Sequence, residues 1–397
     1  MSLIGMNHPY FKNLKDKTVV IVTQQGTTGP SHDVRDLLVP EVKQLLFIGH
    51  PLLYLPENFK KNSQWELYRK GKKVSGGDAG RWRGPELFLY LKDFFYSIFW
   101  FFRGVRRSDI FIGVGNINAL VGVLLQKLGF VTNTVFYCID YVPVRFANSF
   151  VNAIYHRIDS FVAEHATVVW NLSPRMIEGR EKKWGRRLGN QIVVPIGIWY
   201  GRIHQNLSEK VNNNEIIYLG TLLEKQGLDL CIDAVNELRK NISNIRLTVI
   251  GSGPYGDALK SKVRSLGLEK HVVFEGYMPS HADVEKRVSE AALALAMYNK
   301  EKDTFSYYAD PGKVKVYLAC GVPVLITDIP FIARQVEREE CGFVIEYDKD
   351  RIVKVVKKFL EHPDKVKMYK TNAMRFAKKF DWPLVVRDAF EKSSFRL

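Results

Sequence analysis

DPGKVKVYLACGVPVLITD, residues 310–328, reads as a helix running into a buried strand. Asp310 is a carboxylate at an N-cap position. Pro311 follows at the first helical position, where its missing N–H costs nothing. The helix is expected over 311–319 and the apolar run PVLITD (323–328) as the strand. A helix feeding a short continuous apolar strand is the repeating unit of a parallel α/β sheet.

The alternation continues on both sides. EIIYLG (215–220), RLTVIGSG (246–253), HVVFEGY (271–277) and AALALAMY (291–298) read as strands, with helices over 227–239, 255–266 and 282–290. Two or three helices are expected after residue 328. The polar stretch 199–214, ending KVNNN, reads as a linker. Ahead of it the pattern runs once more. TVVIVT (18–23), 45–55, DIFIGVG (109–115), TVFYCID (134–140), ATVVWNLS (166–173) and QIVVPIGI (191–198) read as strands. Helices are expected from about His32 and over 118–128 and 149–165. Residues 62–84, with WELYRKGKK and RWRG, read as a long surface excursion. The 397 residues therefore divide into two Rossmann-like domains, 1–198 and 215–378, with 379–397 as a closing helix.

Composition narrows the class. Hydrophobic residues make up 46% and charged residues 25%, which excludes a disordered chain. The net charge of +16 implies an acidic partner. Residues 1–200 hold 26 Lys/Arg against 15 Asp/Glu, net +11, so the excess sits mainly in the first half. No nucleic-acid recognition motif accompanies it. The cysteines Cys138, Cys231, Cys320 and Cys341 are far apart and lie in or beside apolar segments, as buried reduced thiols do. The first residues lack the apolar core of a signal peptide, so a cytoplasmic protein is expected. No run of eighteen apolar residues predicts a spanning helix. The nearest approach is 86–107, ELFLYLKDFFYSIFWFFRGVRR, with nine aromatics interrupted by Lys92 and Asp93. Rings beside Arg103, Arg106 and Arg107 suit an anionic membrane surface, giving a peripheral protein on the inner face of the plasma membrane. The plain alternative is a Rossmann helix buried on both sides.

From residue 215 onward the motifs resemble, in order, those of retaining glycosyltransferases of family 4. YLGTLLEKQGLDL (218–230), RLTVIGSGP (246–254), HVVFEGYMP (271–279) and DPGKVKVYLACGVPVLITD are similar to that family's successive strands and turns. FDWPLVVRDAF (380–390) resembles its closing helix, which carries a Trp and crosses back to the N-terminal domain. The resemblance implies the GT-B fold, two Rossmann-like domains with parallel sheets facing across a cleft. It implies sugar transfer from a nucleotide-sugar donor, with retention, to a hydroxyl of a glycan or lipid-linked acceptor. The C-terminal half would hold the donor and the N-terminal half the acceptor.

Four positions depart from the family. Tyr308 and Val316 stand where it places a Glu pair, Thr221 where it has Arg, and Gln226 where it has Lys, with Lys225 adjacent. The departures leave two further readings open: a GT-B subunit that binds sugar or nucleotide without catalysis, and another GT-B enzyme acting on nucleotide sugars.

The candidate donor site comprises Gly220, Thr221, Lys225, Gly251, Gly253, Tyr308, Asp310, Pro311, Gly312 and Lys313. Free N–H groups at a helix start, a dipole and a lysine suit a sugar diphosphate; a merely capped structural helix is the alternative. Asp140 is the candidate catalytic residue, a carboxylate at the end of a parallel strand; a helix cap is its alternative. Arg145 is expected to hold an anionic acceptor or pair with Asp140. Gly26, Thr27, Thr28 and Gly29 allow close backbone approach to a sugar or pyrophosphate. His and carboxylate residues show no metal-ligand spacing, so neither metal nor cofactor is expected; the nucleotide sugar is a substrate.

Overall fold

A computed structural model describes residues 13–25, 29–52, 62–80, 82, 84–205, 207–208, 210–301 and 304–396. The chain forms two compact units, residues 1–195 with 382–397, and residues 196–381.

The first unit contains β1 (Thr18–Gln25), α1 (Pro30–Leu38), β2 (Gln44–Pro51), β3 (Gln64–Arg69), β4 (Lys72–Asp78), α2 (Glu86–Gly104), β5 (Ser108–Val114) and α3 (Asn116–Lys127). It continues with β6 (Val131–Cys138), α4 (Ser149–His165), β7 (Val168–Asn171), α5 (Pro174–Trp184) and β8 (Gln191–Val193). Its sheet has the order β4-β3-β2-β1-β5-β6-β7-β8. The strands from β2 to β8 are parallel neighbours, and their apolar runs are buried because helices cover both faces.

Residues 62–84 are not a surface excursion, because most of them extend this sheet. β3 pairs antiparallel with β2, and β4 with β3. Trp65 and Leu67 alternate inward along β3. Lys70 (φ 47°) and Gly71 (φ 77°) form the two-residue, positive-φ turn that matches strand twist. β4 is exposed along its length and carries lysines and glycines, which blunt an open sheet edge.

α2 is amphipathic in an unusual sense. Asp93 and Ser97 are buried together with Trp100 and Phe101, while Leu87, Phe88, Leu91, Phe95 and Phe99 are exposed. Ser97 and Asp93 Oδ1 find partners, while Asp93 Oδ2 makes no hydrogen bond. His50 Nε2 lies 2.8 Å from Ser97 Oγ, and Lys92 Nζ lies 2.7 Å from Asp93 Oδ1.

The second unit contains α6 (Tyr200–Gln205), β9 (Asn212–Leu219), α7 (Leu228–Leu238), β10 (Arg246–Ile250), α8 (Gly256–Ser265), β11 (Val272–Gly276), α9 (His281–Ser289) and β12 (Ala291–Ala296). α10 (Phe305–Tyr308), α11 (Gly312–Ala319), β13 (Val324–Thr327), α12 (Ile332–Arg338), β14 (Gly342–Ile345), α13 (Lys349–Leu360) and α14 (Pro363–Ala377) complete it. Its parallel sheet runs β11-β10-β9-β12-β13-β14. The stretch 199–214 is not plain linker, since it holds α6 and the start of β9. After residue 328 the chain adds a strand, β14, as well as helices.

The final helix, α15 (Trp382–Lys392), belongs to the first unit. It buries Trp382, Val385, Val386 and Ala389. Trp170 Nε1 donates to Ser393 Oγ at 2.9 Å, and Asn133 exchanges two 3.0 Å hydrogen bonds with the backbone of Arg396. Among the described residues no helix is long and apolar enough to cross a membrane.

Candidate functional site

In the second unit the sheet order reverses between β9 and β12, and crevices outside the carboxyl ends at such a point are where α/β sheets take ligands. β9 and β10 end in glycine turns sewn to each other. Gly220 N donates to Ile250 O and Leu222 N to Ser252 O, each at 3.0 Å. A Cβ on Gly251 (φ 134°) would lie 2.0 Å from Gly220 O, and one on Gly253 2.4 Å from Leu222 O. Neither position has room for a side chain. Thr221 is exposed at the tip, and its carbonyl accepts from Tyr218 Oη at 3.0 Å.

Lys313, in the first turn of α11, reaches these turns. Its Nζ donates to Gln226 Oε1 at 2.5 Å and sits 4.6 Å from the Tyr218 ring centroid and 5.1 Å from that of Tyr298. A Cβ on Gly220 would be 3.6 Å from the same ammonium. Tyr317 Oη lies beneath, accepting from Leu219 N at 2.6 Å. Lys225 lies in a 3₁₀ turn, residues 224–226, with Nζ 5.7 Å from the Phe305 ring centroid. Tyr308 closes α10, its ring against Tyr307.

Asp310 does something other than the motif suggests. Pro311 occupies the N-cap without a side-chain cap, and Gly312 is the first helical residue. Asp310 instead bonds the ammonium of Lys315 and accepts from Ile196 N at 2.7 Å. Lys315 is fully buried and also donates to Ile196 O at 2.7 Å. Burial pulls its pKa below the ordinary lysine value, against the pull of Asp310. A buried cation needs a counter-charge more than a helix start needs a cap, which is why the carboxylate turns inward. The Asp310 carboxylate is thus engaged by Lys315 and Ile196 rather than capping the helix, and Pro311 is the N-cap and not the first helical residue.

In the first unit the order reverses between β1 and β5. Asp140 lies two residues beyond the end of β6. Its carboxylate pairs with Arg145, and both side chains are about one-third exposed. Asp140 caps no helix: α4 is capped by Asn148, whose Oδ1 accepts from Phe150 N at 3.0 Å and Val151 N at 3.1 Å. Asn152 Oδ1 accepts from Arg145 N at 2.8 Å and holds the loop from the other side. Burial pushes the Cys138 thiol up to about 12, so it stays protonated. Gly29 precedes α1 with an extended backbone, while Gly26, Thr27 and Thr28 lie outside the described residues.

Beneath the Asp140 loop is a residue that sequence reasoning missed. Arg180 is fully buried and donates to Asp159 at 3.0 Å, Asn171 at 2.6 Å and Gln191 at 2.9 Å. Its guanidinium carbon is 5.4 Å from both the Phe136 and Tyr141 ring centroids. Tyr218 and Tyr298 were likewise missed around Lys313, and Gln226 was read only as a departure from the family. Among the described residues no group of three or more His, Cys, Asp or Glu is arranged to hold a metal.

Residues 201–376, almost the whole second unit, match the family described as Glycosyl transferases group 1. The match lies wholly within the second unit. A GDP-mannose-dependent alpha-(1-6)-phosphatidylinositol monomannoside mannosyltransferase of Mycolicibacterium smegmatis is 29% identical over 152 residues, 37% of this chain and 39% of that protein. The putative colanic acid biosynthesis glycosyltransferase WcaL of Escherichia coli is 24% identical over 246 residues, 60% of this chain and 58% of that protein. The chain thus spans less than two-thirds of these relatives' lengths. Among solved structures, HepE of Anabaena in complex with UDP superposes with a TM-score of 0.68 at 15% identity, covering 95% of this chain and 99% of that one. Sucrose-phosphate synthase of Thermosynechococcus elongatus gives 0.70 at 15% identity, covering 95% and 98%. The fold is accordingly GT-B, with two Rossmann-like α/β units.

Proposed function

We propose that the chain transfers a sugar, with retention, from a nucleotide-sugar donor to a hydroxyl of a glycan or lipid-linked acceptor. The observation that carries this reading is the Lys313 ammonium, held at two close-packed glycine turns at the switch point of the unit matched by the family. A cation there suits a diphosphate. The relatives named for GDP-mannose and for colanic acid synthesis support donor and acceptor classes of this kind. Asp140 is assigned to the acceptor side, where it would orient a hydroxyl or stabilise positive charge at the sugar carbon. The leaving phosphate takes the acceptor proton, so neither metal nor cofactor is invoked.

The test is a thermal-shift panel of UDP, GDP, ADP and their sugars. The matching nucleotide should stabilise by about 2.7 kcal/mol at a hundredfold excess over its dissociation constant. Lys313→Ala should weaken that binding by about 1–3 kcal/mol, as for a lost charge-assisted hydrogen bond. Unchanged affinity would take Lys313 out of the site.

We place the reaction on the cytoplasmic face of an anionic membrane. The exposed stripe Leu87, Leu91, Phe95 and Phe99 supports this, because a helix with its polar residues inward needs an apolar partner outward. Arg103, Arg106 and Arg107 follow at its end. Co-sedimentation with vesicles should rise with anionic lipid and fall with salt, each basic residue near the surface contributing about 1 kcal/mol. Failure to sediment with anionic vesicles at low salt would sink this placement.

A further inference from the structure

α4 turns a polar face inward. Asn152, His156 and Asp159 follow its cap Asn148 at helical spacing, while Phe150, Val151 and Ile154 are exposed. Each of the three holds a neighbour. Asn152 Oδ1 accepts from Arg145 N at 2.8 Å and Phe146 N at 3.3 Å. Asp159 pairs with the buried Arg180. His156, only 5% exposed, places Nε2 2.8 Å from Pro143 O. Pro143 lies in the loop between β6 and α4 that carries Asp140 and Arg145. Asn152 Nδ2 and Lys183 Nζ approach the same carbonyl only to 3.5 Å, so the imidazole makes the short contact.

A carbonyl oxygen only accepts, so Nε2 carries the hydrogen. Nδ1 is buried and has no hydrogen-bond partner. In the neutral ring it is a bare lone pair; in the imidazolium it is a second N–H with nothing to receive it. We infer that His156 is a positioning residue for Asp140 and Arg145, holding their loop while its imidazole is neutral and releasing it when protonated.

The surroundings favour the neutral ring. Tyr155 on α4 and Tyr141 from the loop flank it, with ring centroids at 5.1 and 6.2 Å. Arg180 and Lys183 face it from α5, and Asp159 from α4. Asp159 is already committed to Arg180 at 3.0 Å, and the protonated Cys138 on β6 lies against the same guanidinium. Further along the loop Asp140 and Arg145 offset each other. An imidazolium would therefore meet two cations and one carboxylate already taken. Burial pulls the pKa of His156 below the ordinary histidine value; Lys183 and Arg180 add to this, against Pro143 O and Asp159. In a released loop the ring is hydrated and regains its ordinary value. Between the two values only the released loop binds the proton, so acid favours release.

Hydrogen exchange of the intact protein tests this through the amides of Arg145 and Phe146. At about pH 7.5 they should be protected, and at about pH 5.5 their protection, corrected for intrinsic exchange, should be about three- to tenfold lower. β6 and β7 should keep theirs. His156→Gln retains an amide donor for Pro143 but does not titrate, so its loop should stay protected at both pH values. His156→Phe should lose protection at both. Equal protection of the parental loop at the two pH values would overturn the inference, and so would a His156→Gln loop that follows the parental response. If neither variant folds, the parental comparison decides alone.

The inference rests on the transferase reading for what the loop does. With turnover present, kcat should fall in acid for the parent and much less for His156→Gln, with the donor KM unchanged in both. A parental kcat that stays level while the loop releases would overturn the positioning role. Acid release of the loop in a chain without turnover at any pH would fail the transferase reading and leave the pH-dependent hold on the loop standing.

Discussion

Asp140→Asn should keep its melting temperature and transfer sugar at least about a hundredfold more slowly, the lower range for a positioned acid–base or charge-stabilising group. The side chain is one-third exposed and caps no helix, so the fold has little to lose. Its tie to Arg145 is an exposed pair, of the kind worth at most about 1 kcal/mol. Asparagine keeps the shape and removes the charge. Turnover near the parental rate would show that Asp140 only positions Arg145. Donor binding by the unmodified chain without any turnover would instead favour a binding subunit that has lost catalysis.

Asp310→Ala is expected to act on the opposite property. It leaves Lys315 buried with no counter-charge, and breaking such a pair costs about 3–5 kcal/mol. Urea unfolding of the variant should show the loss, while Lys313→Ala should unfold like the parent. The pH response has a definite sign. Lys315 has its pKa lowered in the folded state, so below the ordinary lysine value there is a window in which only the unfolded chain holds the proton. Stability rises with pH across that window. Removing Asp310 lowers the folded value further and widens the window, so the variant should recover part of its loss as the solution becomes alkaline. An Asp310→Ala protein as stable as its parent at neutral pH would show that Asp310 is not the counter-charge that the buried Lys315 needs.

The buried parallel strands were legible in the sequence because each is covered on both faces. VVIV in β1, IFIGV in β5 and AALALA in β12 are continuous apolar runs. β4 was not, since KKVSGGD has no apolar period and is held only by pairing with β3. The alternation of Trp65 and Leu67 was the available signal for the hairpin. β14 is four residues long, too short for periodicity to speak. α5 was passed over because its buried face is Arg175, Met176 and Arg180, which reads as a charged surface segment.

The site divides in the same way. Glycine turns and the lysine of Pro-x-Lys are local features, and Gly220, Gly251, Gly253 and Lys313 are brought together. Asp310 misled because its partners, Lys315 and Ile196, are chosen by packing, while Asp-Pro-Gly taken alone is a helix start. Arg180 illustrates the converse: an arginine in a basic stretch gives no hint that four elements converge on it.

The return of α15 to the first unit bears on how the chain folds as it is made. Trp382, Val386 and the bonds at Ser393 and Arg396 belong to a core whose other parts end at residue 195. Domains usually fold in order from the N-terminus during synthesis, at about 5–20 residues per second. Here the earlier unit must wait roughly 10–40 s, at those rates, for its last helix to leave the ribosome. During that interval the second unit completes itself first, and the unsealed face of the nascent first unit, around Trp170 and Asn133, is the surface a holding chaperone would cover.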